Sequence, residues 1–213
     1  MNDSAAPSPL LFLDTVNGLQ RAAIVKAAVE LEVFTAIHEG HRTPEALAKR
    51  CGAATRGLRI LCDCLAAMGF VRKSGMQYTL TPDSAEFLVQ SSPEYLGDIT
   101  RFLLSDGFKR AFDNFTDAVR HGGVAYSEKG NTADESPAWV DFARAMMNLQ
   151  RRPAEDMAQI IERPANAPLR VLDVAAGHGM YGIAVAQRFP NAQVTGLDWA
   201  PVESRHQIGR AHV

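Results

Sequence analysis

Cysteine is scarce: three residues in a chain of 213, Cys51, Cys62 and Cys64. An odd, sparse set excludes a disulfide-stapled scaffold. Cys62 and Cys64, two apart on an expected helix, point to different faces and cannot share a metal, so all three read as structural thiols. The six histidines are scattered without metal-ligand spacing, and no metal is expected. No run of eighteen apolar residues occurs, which excludes a membrane-spanning helix, and Met1 to Pro9 lacks the basic-then-apolar order of an export signal. The cytoplasm is the expected compartment. Nor is there an excess of basic charge: 22 Lys and Arg stand against 24 Asp and Glu, a net charge of -2. That balance predicts no general attraction to nucleic acid or to an anionic membrane. Internal repeats and low-complexity segments are also absent.

What is present is concentrated near the end. Residues 171 to 182 read Val-Leu-Asp-Val-Ala-Ala-Gly-His-Gly-Met-Tyr-Gly, an apolar run carrying one acid, then a turn of small residues, then the first turn of a helix. The run fits a strand buried on both faces of a parallel sheet. Gly179 opens a helix through Ile183 to Ala186, Pro190-Asn191 stops it, and Gln193 to Asp198 supplies a second apolar strand ending in an acid. The unit is β-α-β. Gly177, Gly179 and Gly182 spell the G-x-G-x-x-G of dinucleotide sites, with Asp198 about twenty residues on. In that register Asp173 lies inside the strand, where an unpaired buried carboxylate costs several kcal/mol. If the strand instead ends near Val174 and the turn is Ala175-x-Gly177-x-Gly179, Asp173 sits at the carboxyl edge of the sheet and faces a ligand cation. This second register suits S-adenosylmethionine, with its ammonium and sulfonium near Asp173, its carboxylate facing the loop amides and its ribose hydroxyls on Asp198. A nicotinamide or flavin nucleotide, or glycines that merely make tight turns, are the other readings. His178 either touches ligand or faces solvent.

The first hundred residues are of another kind. Pro7 and Pro9 close a polar tail, residues 1–9, expected to be disordered. From Leu10 to Ile37 the pattern is helical, and Ala22 to Val29 is apolar almost all round, interrupted by Lys26. A small domain cannot bury such a helix on every side, so a second subunit is the expected partner. Thr43-Pro44 starts a helix, and Leu58, Leu61, Cys62, Leu65 and Met68 mark one face of another beginning at Thr55. A hairpin follows from Phe70-Val71 to Tyr78-Thr79-Leu80, turning at Lys73-Ser74-Gly75. Helix, helix, hairpin is a winged helix. Residues 1–100 hold nine Lys or Arg against eleven Asp or Glu, however, and phosphate binding needs the opposite sign. A structural or dimerising role is favoured over DNA binding, and a winged-helix transcriptional regulator with a degenerate ligand-binding domain is the alternative.

Between these parts, Thr81-Pro82 starts a helix, and residues 93–104, 107–120 and 137–161 carry helical patterns rich in Phe and Met, joined by a Gly-rich loop from His121 to Thr132. Phe142, Met146 and Met147, on the helix leading into the first strand of the β-α-β unit, are the candidate walls of a pocket for a flat apolar substrate.

Taken over residues 10 to 202, the chain resembles the dimeric small-molecule O-methyltransferases of the hydroxyindole and caffeate type. The features that carry the resemblance are the helical winged-helix region, the helix Trp139-Val-Asp-Phe-Ala-Arg-Ala-Met146, and Val171 to Gly179 followed by Val194-Thr-Gly-Leu-Asp-Trp199. It implies a mixed fold: an all-α winged-helix dimerisation domain over 10–98, a helical connector with substrate-pocket helices over 99–165, and the start, one β-α-β unit, of an α/β Rossmann-like methyltransferase domain over 166–202. It also implies S-adenosylmethionine as cofactor, held by Asp173, Ala175, Gly177 and Gly179, with Asp198 on the ribose and Trp199 beside the adenine. Methyl transfer to a hydroxyl of a small aromatic acceptor, and a homodimer, follow from the same resemblance. Ala175 stands where the family has a glycine. The family's full sheet and its downstream histidine base have no counterpart here, so no catalytic residue is assigned and this chain alone is expected to be inactive. Ile208 to Val213 resembles one frame of a sequencing-library adapter, and residues 203–213 are read as a non-native tail.

Overall fold

The computed structural model describes residues 7–123 and 137–198. The chain divides into two compact units, Met1–Gly97 and Asp98–Val213.

The first unit opens with α1 (Leu10–Val16), α2 (Gly18–Glu30) and α3 (Val33–His38). The expected single helical stretch is therefore broken, most sharply at Glu32, which takes the left-handed conformation (φ 54°). That conformation costs a residue with a Cβ about 1–2 kcal/mol. Arg50 offsets it from α4 (Pro44–Cys51), because its guanidinium lies 3.1 Å from Glu32 and pairs two-pronged with Glu39, at 2.6 and 3.1 Å. Thr43 caps α4, accepting the Ala46 N–H, with Pro44 in the first turn, as its sequence requires. α5 (Thr55–Ala67) turns Leu58, Cys62 and Leu65 inward against Val33, Phe34 and Leu47. The burial of Ala28 and Val29 in the same core accounts for part of the apolar face read on α2. The uncovered apolar side chains lie earlier, from Leu10 to Leu19.

β1 (Val71–Ser74) and β2 (Gln77–Leu80) pair antiparallel, with Ser74 opposite Gln77. The turn is thus Gly75-Met76, later than read from sequence, with Gly75 (φ 58°) at its first position where a two-residue hairpin needs positive φ. The hairpin is fastened to α5 by one carboxylate: Asp63 accepts from Lys73 Nζ at 2.6 Å and from the buried Tyr78 hydroxyl at 2.6 Å, with Arg59 at 3.4 Å. The hydrogen bond from Lys73, followed by that from Tyr78, holds the Asp63 carboxyl below the usual carboxylate range. A carboxyl depressed in the folded state stabilises above its unfolded value and loses that contribution as pH falls. The melting temperature of this unit should therefore drop steeply below about pH 4, and Asp63→Asn should flatten the drop. Equal acid slopes for the two proteins in a pH series of thermal melts would show that Asp63 carries none of it.

α6 (Pro82–Phe87) starts at Thr81, whose hydroxyl accepts the Ser84 N–H. Residues 93–98 are not helical as expected. The Tyr95 ring folds back to where a Gly97 Cβ would stand, within 2.2 Å, and Leu96 N–H donates to Phe87 O at 2.8 Å, which ties the segment to α6.

In the second unit, α7 (Ile99–Leu103) is followed by α8 (Asp106–Asp113) and α9 (Phe115–His121). These two are separated because Asn114 Nδ2 donates to Arg110 O at 2.7 Å and ends α8 there. The Gly-rich loop expected after His121 lies mostly outside the described residues. α10 (Pro137–Gln159) packs against α11 (Met180–Arg188), with Ala154 and Ala158 meeting Ala184, Val185 and Phe189. Small side chains on both helices allow the close approach. β3 (Arg170–Val174) and β4 (Gln193–Leu197) pair in parallel, Asp173 opposite Gly196. α11 covers one face of this pair. The other presents Leu172 and Val174, 62% and 65% exposed, so the burial on both faces read from the sequence does not hold among the described residues.

Candidate cofactor site

The strand β3 ends at Val174, and the next five residues make an irregular loop before α11. Ala175, Gly177 and Gly179 all take positive φ (58°, 56° and 70°). Glycine adopts this freely, whereas Ala175 holds it at a cost of about 1–2 kcal/mol. The strain sits at the first residue of the loop. Gly177 faces the Ala143 methyl of α10, which would stand 3.9 Å from a Cβ there, an ordinary contact, so it is the positive φ and not space that favours glycine.

The loop amides have identifiable partners. Ala176 N–H donates to Leu197 O at 3.2 Å, Gly177 N–H to Asp198 Oδ2 at 2.5 Å, and Gly179 N–H to Ala176 O at 2.7 Å. At the start of α11, Met180 N–H donates to His178 Nδ1 at 3.1 Å and Gly182 N–H to Asp173 Oδ2 at 3.0 Å. The two carboxylates singled out in the sequence are thus brought together at the carboxyl ends of adjacent parallel strands, each anchored to the same loop-helix segment. The carboxyl ends of the strands are where ligands enter open parallel sheets.

The geometry corrects one step of the sequence argument. The sequence makes Asp173 costly inside a strand for want of a partner, yet β3 runs through it and Gly182 N–H supplies one. The placement of Asp173 therefore does not by itself exclude a dinucleotide. Gly182 is also where α11 presses on the strands: a Cβ there would fall 2.8 Å from Val194 Cγ1 and 3.2 Å from Asp173 Oδ2.

The pocket candidates lie on α10, on the stretch around Ala143 that meets the loop. Phe142 meets Phe102 edge-on, centroids 5.3 Å apart, and the contact continues through Phe108 to Phe112. Met146 is buried and Met147 half-buried. Trp199 lies outside the described residues. His178 is 7% exposed, so its solvent-facing reading fails. Sequence reasoning also missed the Tyr181 hydroxyl donating to Gln150 Oε1 at 2.6 Å, which ties α11 to α10 across 31 positions and has no local signal. Among the described residues no cluster of His, Cys, Asp and Glu could hold a metal, and no helix is long and apolar enough to cross a membrane. Cys62 is buried, which pushes its thiol up to about 12, and burial likewise raises Cys51, so neither is an activated nucleophile.

Comparison with known proteins decides the kinship. Residues 13–90 match the O-methyltransferase dimerisation domain. A structure from Nostoc punctiforme PCC 73102, assigned as an O-methyltransferase, superposes with a TM-score of 0.84 at 47% identity, over 94% of this chain and 59% of its own. The chain is related to the O-methyltransferases. The 3-hydroxy-5-methyl-1-naphthoate 3-O-methyltransferase of Streptomyces sahachiroi is 25% identical over 89% of this chain and 55% of its own length. Human N-acetylserotonin methyltransferase, solved in complex with S-adenosylmethionine, shares the fold, with a TM-score of 0.77 at 19% identity, over 99% of this chain and 65% of its own. The chain therefore spans somewhat more than half the length of these relatives.

Proposed function

We propose that this sequence supplies the dimerisation region and the cofactor loop of an enzyme that transfers a methyl group from S-adenosylmethionine to a hydroxyl of a small aromatic acceptor. The observation that carries the reading is the placement of Asp173 near the end of β3 and of Asp198 just past β4, each holding a backbone N–H of a loop-helix segment with three left-handed residues. The kinship to O-methyltransferases supports the cofactor over a dinucleotide. Asp173, with the loop residues Ala175, Gly177 and Gly179, would hold the methionine end, Asp198 the ribose, and Trp199 the adenine. Phe142, Met146 and Met147 would border the acceptor, and the naphthoate acceptor in the name of the Streptomyces relative supports an aromatic one.

When bound, S-adenosylmethionine supplies an electrophilic methyl on a sulfonium. The chain's own residues orient the groups around it: Asp173 offers negative charge at the strand end, and the left-handed turn brings backbone close. Positioning of this kind is the larger part of such catalysis.

Residues 10–98 read as the dimerisation domain of a homodimer, 99–165 as connector and 166–202 as the start of the Rossmann-like domain, with a cytoplasmic location. The order α4, α5, hairpin reads as a winged helix, and the acidic balance of residues 1–100, with Arg59 and Lys73 drawn to Asp63, weighs against a DNA role.

The test is calorimetry with S-adenosylmethionine, on this chain and on the longest protein encoded at its locus. Asp173→Asn should weaken binding by on the order of 1–3 kcal/mol, the scale of losing a charged hydrogen-bond partner. Tight binding of a nicotinamide dinucleotide, with no response to S-adenosylmethionine, would overturn the reading.

A further inference from the structure

α11 begins without a side chain at its N-cap, because that position is Gly179. Its first-turn amides would otherwise need water or ligand. Two are instead satisfied by side chains: Gly182 N–H by Asp173 and Met180 N–H by His178. Asp173 belongs to the cofactor reading already; His178 does not. Its ring is buried although its backbone lies in the turn between Gly177 and Gly179. A backbone N–H can only donate, so Nδ1 must carry a lone pair and the ring proton must sit on Nε2. The imidazole thereby links the middle of the loop to the first amide of the helix, closing a short ring of backbone and side chain around Gly179.

We propose that His178 is a positioning residue for the cofactor: it acts through the loop backbone, holding the left-handed turn at Gly177 and Gly179 in the shape that receives S-adenosylmethionine. The proposal rests on the cofactor reading above. A side chain with an acceptor at the Nδ1 position should replace it, and one without should not. Asn places Oδ1 there. His178→Ala should weaken S-adenosylmethionine binding on the order of tenfold, the effect of one lost hydrogen bond on a preorganised loop, while His178→Asn stays within about threefold.

The experiment is calorimetry on the three proteins, paired with amide exchange at Met180 and the ring-carbon shifts of His178 in the unmodified chain. Expected are the Nε2–H tautomer with and without cofactor, and a Met180 amide whose exchange slows on cofactor addition and quickens in His178→Ala. Equal affinity of unmodified and His178→Ala chains overturns the proposal alone, as does equal weakening by Ala and Asn. If His178→Ala does not fold, an Nδ1–H tautomer or a fast-exchanging Met180 amide in the unmodified chain overturns it as well. Failure of the unmodified chain to bind S-adenosylmethionine overturns the cofactor reading, and the proposal with it.

Discussion

If the chain self-associates as proposed, replacing Leu11 and Leu19 together with Glu should leave it monomeric without unfolding it. α1 buries none of its seven residues within the chain. Leu11 and Leu19 are 81% and 72% exposed, beside exposed Leu10, Phe12 and Val16. A seven-residue helix does not hold itself in water, and exposed apolar side chains gathered on it and at the start of α2 mark a contact surface. The match to a dimerisation domain begins at residue 13, so it takes in Leu19 and adjoins Leu11. Each leucine covered on association contributes about 1.5–3 kcal/mol. With two per subunit, the dissociation constant should rise by more than about 10³. The core survives because it begins at Ala28 and Val29, beyond both substitutions. Light scattering across a dilution series reads the mass, and a thermal melt reads the fold. A dimer that persists at micromolar concentration in the double variant would place the interface elsewhere.

Substituting Val for Gly182 should dismantle the β-α-β unit while leaving the first unit intact. The new Cβ would lie 2.8 Å from Val194 Cγ1 and 3.2 Å from the Asp173 carboxylate, closer than carbon tolerates. Val194 is held by the β3–β4 pairing and Asp173 by its strand, so neither can step aside cheaply. Overpacking of this kind costs about 1–3 kcal/mol. Helix propensity offsets it by less than about 1 kcal/mol, since Val improves only modestly on Gly. Losing the bond from Gly182 N–H to Asp173 adds to the cost and frees the carboxylate from its anchor. Amide exchange should quicken over residues 170–198 and remain slow around Phe34 and Tyr78. Unchanged protection in β3 and β4 would mean that α11 does not sit on the strands at Gly182.

The sequence by itself determined what local chemistry can encode. Thr43-Pro44 and Thr81-Pro82 announced helix starts, because a hydroxyl cap and a proline act within one turn. The i, i+3, i+4 face of α5 and the acid-x-small-x-Gly-x-Gly run that begins at Asp173 in β3 were legible for the same reason: periodicity and backbone permissiveness are properties of adjacent residues. Only the tertiary structure decided which partner each polar group meets. Asp173 finds Gly182 nine positions away, Asp198 finds Gly177 at 21 and Tyr181 finds Gln150 at 31, pairings that depend on how α10, α11 and the strands come together. The inward turn of His178 and the break at Glu32 held by Arg50 belong with them. Each depends on side chains or backbone brought together by the fold rather than on a repeating local pattern, so no local pattern in the chain announces it.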